Sequence, residues 1–175
     1  MIQVIGIVVV GAVAALLGVA ATKPDKFRVQ RTARINASPD KILAFITDFR
    51  RWTAWSPWEK LDPGMKRTHS GATSGKGAVY AWEGSAKAGK GRMEITELSA
   101  PSKVTIDIHF IKPFAVRNTV EFTLEPQGSS TEITWAMFGP SPFATKVMGV
   151  FVSMDKLIGK DFEQGLANLK TVAEQ

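Results

Sequence analysis

The sequence predicts an α+β chain: a curved antiparallel sheet of about seven strands, covered by one long C-terminal helix and preceded by a single N-terminal apolar helix. Three observations carry this. From Met1 to Thr22 there is no ionisable side chain. From Gly64 to Phe138, short alternating segments follow one another, separated by turns rich in Gly, Pro and Ser. After Ser141 the apolar residues recur every three or four positions to the end of the chain.

The opening run, IQVIGIVVVGAVAALLGVAAT, has about the ~20 apolar residues that cross a hydrocarbon core as a helix, and it is apolar on every face. It is expected to be a transmembrane anchor over residues 1–22, touching the membrane through residues 2–22 and leaving 23–175 as one domain. The rival is a cleaved signal peptide. Gly18 and Ala20 offer a small-residue cleavage pattern, but no basic residue follows Met1 and the run exceeds the usual ~7–15 apolar residues. Lys23, Lys26, Arg28 and Arg31 flank the run on its C-terminal side. By the positive-inside rule the domain of a single-pass inner-membrane protein is expected on the cytoplasmic side, with the periplasmic side as the alternative. The net charge of +6 lies wholly beyond the anchor, where it would attract anionic headgroups. No basic run or nucleic-acid motif accompanies it, so no nucleic-acid partner is expected. The absence of cysteine excludes disulfides and thiolate chemistry.

The domain begins with a half-buried strand in which Phe27, Val29, Ala33 and Ile35 alternate with polar residues and Arg31 shares the apolar face. Ser38-Pro39-Asp40 then combines an N-cap, a proline at N1 and an acid in the first turn. The helix after it carries Ile42, Leu43, Phe45, Ile46 and Phe49, and a second short helix or turn should end near Pro57. Strands follow in GMKRTHSG, GAVYAWEG, RMEITEL, VTIDIHF, AVRNTVEFTLE and TEITWAMF, with GSAKAGKGR as a hairpin loop. Short connections make them an antiparallel meander with one face buried. Ser141-Pro142 should cap the last helix, and Gly149, Gly159 and Gly165 each weaken it by about 1 kcal/mol relative to Ala. A bend, or a short helix followed by a longer one, is therefore expected.

With that order in place, the chain resembles the START/polyketide cyclase superfamily, the helix-grip fold. INASPDKILAFITDFRRWTAWSPW, GKGAVYAWEG and FEQGLANLK resemble its bacterial polyketide cyclase/dehydrase-like branch, over roughly residues 26 to 173. The W-x-x-W-S-P-W segment resembles a sub-branch found behind one N-terminal membrane helix. The resemblance implies a cavity for lipids, sterols, polyketides or similar molecules. It does not imply one reaction.

Two histidines and no cysteine make a poor metal-ligand set, and neither a metal nor a cofactor is expected. Nucleophile motifs and phosphate loops are lacking. Polar groups in phase with the apolar faces are Arg31, Arg67, His69, Tyr80, Glu97 and Asn118; Glu83 and Glu94 join only in the opposite register. Among them His69, Tyr80 and Glu97 are candidate acids or bases. The alternative for Tyr80 and Asn118 is a hydrogen-bonded core, and for Arg31 and Arg67 a strand end with the head in water. Tyr80, Trp82, Trp135, Met137, Phe151 and Met154 should line the space between sheet and helix, with methionine adapting to variable ligands. A filled core is the competing reading.

Trp52, Trp55 and Trp58 stand at three-residue intervals. Trp52 is expected to pack inward beside Phe45 and Phe49, while Trp55 and Trp58 rim the pocket mouth and join Asn118 among the ligand-binding candidates. Three functions remain in view: binding a hydrophobic small molecule or lipid, a cyclase or dehydratase acting on an apolar substrate, and a protein-interaction module with a closed cavity.

Overall fold

A computed structural model describes residues 2–175, and their side chains from Gly6 onward. The elements in order are α1 (Ile2–Ala21), β1 (Lys26–Ile35), α2 (Pro39–Thr47), 3₁₀ turns at Phe49–Ala54 and Pro57–Lys60, β2 (Lys66–Gly71), β3 (Ala78–Glu83), β4 (Lys90–Ser99), β5 (Lys103–Lys112), β6 (Val116–Gln127), β7 (Ser130–Pro140), α3 (Phe143–Phe151) and α4 (Met154–Ala173). The strands form one antiparallel sheet in the order β1-β7-β6-β5-β4-β3-β2. The last strand pairs with the first, and β1 and β2 stand at the two edges.

Local chemistry sets the boundaries. Ser38 accepts the Lys41 amide and Pro39 opens α2, which buries Ile42, Leu43 and Ile46. The C-terminal helix divides at Val152 and Ser153, and Ser153 caps α4 through the Lys156 amide. The cap expected at Ser141 does not form: the N-cap of α3 is Pro142, which offers no side-chain hydrogen bond.

In α4, two glycines mark close approaches to the sheet. A Cβ at position 165 would stand 2.7 Å from the Trp135 ring, and one at position 159 would collide with the Arg31 guanidinium. Trp135 consequently stacks on Phe162 at 4.2 Å and on Phe122 at 5.0 Å, in the middle of the core. Arg31 bonds Asp155 at 2.9 Å and Glu163 at 2.6 Å, fastening α4 to β1. The apolar phase of β1 is thus used by an arginine whose partly exposed head meets helix carboxylates.

The apolar N-terminal segment is helical, but among the described residues no helix is long and apolar enough to cross a membrane. The side chains of residues 1–5 lie outside the described residues. The expected single-pass inner-membrane location is thereby corrected. α1 packs along α3, with Ala20 fully buried.

Candidate functional site

The concave face of the sheet is unevenly covered. The C-terminal half of α4 seals Phe122, Leu124, Ile133 and Trp135 beneath Phe162, Leu166 and Leu169, all of them buried. Toward the start of α4 the cover thins. Trp58, Trp82, Ile108, Phe110, Met154 and Ile158 stay half-buried there, although the first four face the concave side by strand phase or ring contact. Trp82 lies flat over Gly91, where a Cβ would collide with its ring, and its Nε1 donates to Ala88 at 3.0 Å. These half-buried side chains mark a thinly covered apolar end of the gap between sheet and helix, the candidate cleft.

Polar groups stand at two places on the concave face. At the β2–β3 edge, Glu59 descends from the second 3₁₀ turn and its side chain is 6% exposed. Its carboxylate accepts the Tyr80 hydroxyl at 2.6 Å and Arg67 Nε at 2.6 Å, while Arg67 Nη2 donates to the Glu59 carbonyl at 2.9 Å. His69 stacks on Tyr80 at 5.0 Å. The hydrogen bond to Glu59 holds the Arg67 guanidinium above its ordinary range. Burial, aided by the Glu59 hydrogen bond, pushes the Tyr80 hydroxyl above the usual tyrosine range. Burial, with the nearby charge of Arg50, pushes His69 down, and its Nε2 is buried without a partner.

At the other place, on β6, Asn118 is 6% exposed and in phase with Val120, Phe122 and Leu124. Its Oδ1 finds no hydrogen-bond partner and rests against Gly139, where a Cβ would collide with it. A shallow groove of about 560 Å³ also runs along the ends of β1, β6 and β7. Its walls include Lys26, Arg28, Arg117 and Phe138, which alternate to the convex side, together with Phe27, Asn118 and Gly139, so it wraps the end of the sheet at Asn118.

These placements revise several sequence expectations. Trp55 is fully buried, donating Nε1 to the Phe45 carbonyl at 3.1 Å, and so belongs to the core and not to the mouth. Trp58 alone of the pair reaches the cleft, edge-on to Trp135 and Phe162. Trp52 packs on Phe49 at 5.3 Å. Trp135 and Met137 face the gap but are buried. Phe151 does not line the gap: it is 73% exposed at the end of α3, because the break before α4 turns that helix off the sheet. Glu97 is likewise exposed. A register shift between Ile95 and Glu97 reverses the phase of β4, sending Leu98 inward instead. Glu83 and Glu94 fall on the convex face, opposite Tyr80 and Met93 in phase.

Glu59 was missed by sequence reasoning. Its one signal is position, an acid directly after the last ring of W-x-x-W-S-P-W. Among the described residues, no group of His, Asp and Glu is placed to hold a metal ion.

The fold and site can be set beside known proteins. A protein from Chromobacterium violaceum shares the fold at 15% identity and a TM-score of 0.59, the match covering 87% of this chain and 99% of that one. One from Mycobacterium smegmatis does so at 16% identity and a TM-score of 0.58, over 83% of this chain and 89% of that one. A third, described as a putative protein in the dynemicin biosynthetic locus, matches at 16% identity and a TM-score of 0.60, over 87% of this chain; this chain spans 48% of its length. No curated protein matches the sequence. A family described as "Polyketide cyclase / dehydrase and lipid transport" matches residues 26–174. That span runs from the first strand to the last residue but one, and the chain belongs to this family.

Proposed function

We propose that this protein binds an apolar small molecule in the open end of the gap between the sheet and α4. The observation that carries the reading is the set of half-buried rings and aliphatic chains, Trp58, Trp82, Phe110, Ile108 and Ile158, left without cover on a face otherwise sealed by α4. Apolar clefts with a few convergent polar groups are where small ligands dock, and covering each such side chain adds favourable burial. The family's description, which names lipid transport, supports the same class of ligand. Native mass spectrometry of the chain purified from cells, followed by extraction of what is bound, tests it. Recovery of one class of apolar molecule supports binding. A chain that carries nothing and takes up no apolar probe contradicts it.

A cyclase or dehydratase reaction is the second reading, favoured by His69 and Tyr80 standing together beside Glu59. Tyr80 is poorly suited to lose its proton there, because a phenolate would face the Glu59 carboxylate in a buried setting. His69, held neutral and with Nε2 unpartnered, is the better base. Under this reading His69→Gln abolishes turnover of a candidate substrate while leaving its binding intact.

A further inference from the structure

At one end of the sheet the strands part around a groove that carries cations. The β6–β7 ladder stops at Thr119 and Phe138, although β1 stays paired to β7 as far as Lys26 and Pro140, and β5 to β6 as far as Val116. The groove of about 560 Å³ lies at this fork, and its walls include none of the half-buried residues of the candidate cleft. Lys26, Arg28 and Arg117 line it, all three exposed. Its one acid, Asp25, is already taken by Lys146, whose hydrogen bond holds the carboxyl below its ordinary range. On the neighbouring strands, Asp107 meets Arg117 at 3.3 Å and Glu121 is paired with Lys103 at 2.8 Å. An ion pair as exposed as the first is worth about 0–1 kcal/mol, so Arg117 is loosely committed. Arg28 lies over the Phe138 ring at 5.0 Å and donates Nε to Gln30 at 2.9 Å, which anchors its head and leaves its Nη groups unspent among the described residues. At the apex of the fork stands Asn118, 6% exposed. Its Oδ1 rests against Gly139 without a partner, and its side chain makes no hydrogen bond among the described residues. A buried amide in want of partners points to a ligand that supplies one.

We infer that this groove is a second binding site, for a small organic oxyanion: a phosphate or carboxylate carried on a flat apolar body. Arg28 and Arg117 grip the oxyanion with their planar forks, Lys26 adds its charge, and the Asn118 amide donates at the inner end. The half-buried rings of Phe27 and Phe138 receive the apolar body. The inference does not rest on the cleft reading above. The two sets of walls share no residue, and either site can fail without the other.

The test titrates phenyl phosphate, benzoate, inorganic phosphate and benzyl alcohol into the full chain at neutral pH, with binding read from backbone-amide NMR shifts. Phenyl phosphate or benzoate should move Arg28, Arg117, Asn118 and Thr119 in one saturable transition, and the tighter of the two identifies the preferred head. Inorganic phosphate should bind several-fold more weakly, and benzyl alcohol should leave these amides in place. The double variant Arg28→Gln, Arg117→Gln changes only exposed side chains. It should keep its fold by circular dichroism and weaken the preferred probe by about tenfold or more, the worth of charge-assisted hydrogen bonds. Uptake of an apolar fluorophore by the cleft should be unchanged in it. Asn118→Ser should weaken the same probe several-fold; if it does not fold, the arginine variant alone decides. Failure of both anions to bind, benzyl alcohol or inorganic phosphate binding as tightly as they do, or unchanged affinity in the arginine variant overturns the inference. Each of these results leaves the cleft reading standing.

Discussion

The Glu59 carboxylate lies 2.6 Å from the Tyr80 hydroxyl and accepts its hydrogen bond, joining a 3₁₀ turn to the middle of β3. The second oxygen of Glu59 is held by Arg67, also at 2.6 Å. One acid thus fixes the tryptophan-rich segment onto the edge of the sheet and walls one side of the cleft.

Removing that acid strands two buried partners. Glu59→Ala should lower unfolding free energy by about 2–3 kcal/mol, because Arg67 and Tyr80 each lose a short hydrogen bond in a largely buried place. Glu59→Gln, which still accepts from Tyr80, should cost about half as much. Urea unfolding of the three proteins measures the difference, and a glutamine variant as stable as wild type would deny the carboxylate its special role.

Tyr80 is the chain's single tyrosine, so its titration can be read directly from phenolate absorbance. Its hydroxyl is pushed above the ordinary value of ~10, burial being the main cause. The sign follows from linkage: above about pH 10 the unfolded chain gives up this proton while the native chain keeps it. Stability from this group is therefore full below about pH 10 and declines as pH rises further. Phenolate absorbance should appear only together with alkaline unfolding; a native protein that titrates near 10 contradicts the buried Glu59 contact.

The glycines of the C-terminal helices should respond with opposite signs. Gly165→Ala places a methyl group 2.7 Å from the Trp135 ring, with Pro57 at 3.2 Å behind it, and should cost about 1–3 kcal/mol despite better helix propensity. Among the described residues, the nearest neighbour of a Cβ added at Gly149 is the flexible Lys23 chain, at 3.8 Å. Gly149→Ala should instead gain up to about 1 kcal/mol. Thermal unfolding decides both.

The tryptophans separate by role. Trp55→Ala should cost about 3–5 kcal/mol of stability, as expected for a buried ring in an aromatic core. Trp82→Ala should cost less, its ring being half-buried, and should weaken apolar-probe affinity several-fold. Phe151→Ala, at an exposed helix end, should stay within about 0.5 kcal/mol of wild type.

Much of this architecture was legible in the residues. Strict alternation in VTIDIHF gave β5 its inward and outward faces, Ser38-Pro39-Asp40 marked α2, and the glycines foretold a divided C-terminal helix. What escaped depends on geometry that periodicity does not carry. Glu59 sits in a 3₁₀ turn, where no helical or strand phase points to a partner, and its role exists only because β2 and β3 pass beneath. Glu97 was placed inward by counting in twos, and the register shift beside it undoes such a count. Gly159 and Gly165 read as weaknesses of a helix until the sheet it lies on is known. Trp55 and Trp58, three residues apart with Pro57 between them, part company because the 3₁₀ turn that ends at Ala54 leads Trp55 into the core before the chain turns again at Pro57.

The central claim is that the open end of the gap holds an apolar molecule, and filling that end tests it most directly. An environment-sensitive apolar fluorophore should bind the wild-type chain at one saturable site. Ile108→Trp, which adds a large ring where the concave face is half-covered, should abolish that binding without loss of fold. Saturable binding that persists unchanged in Ile108→Trp would place the apolar site elsewhere on the molecule and contradict the account.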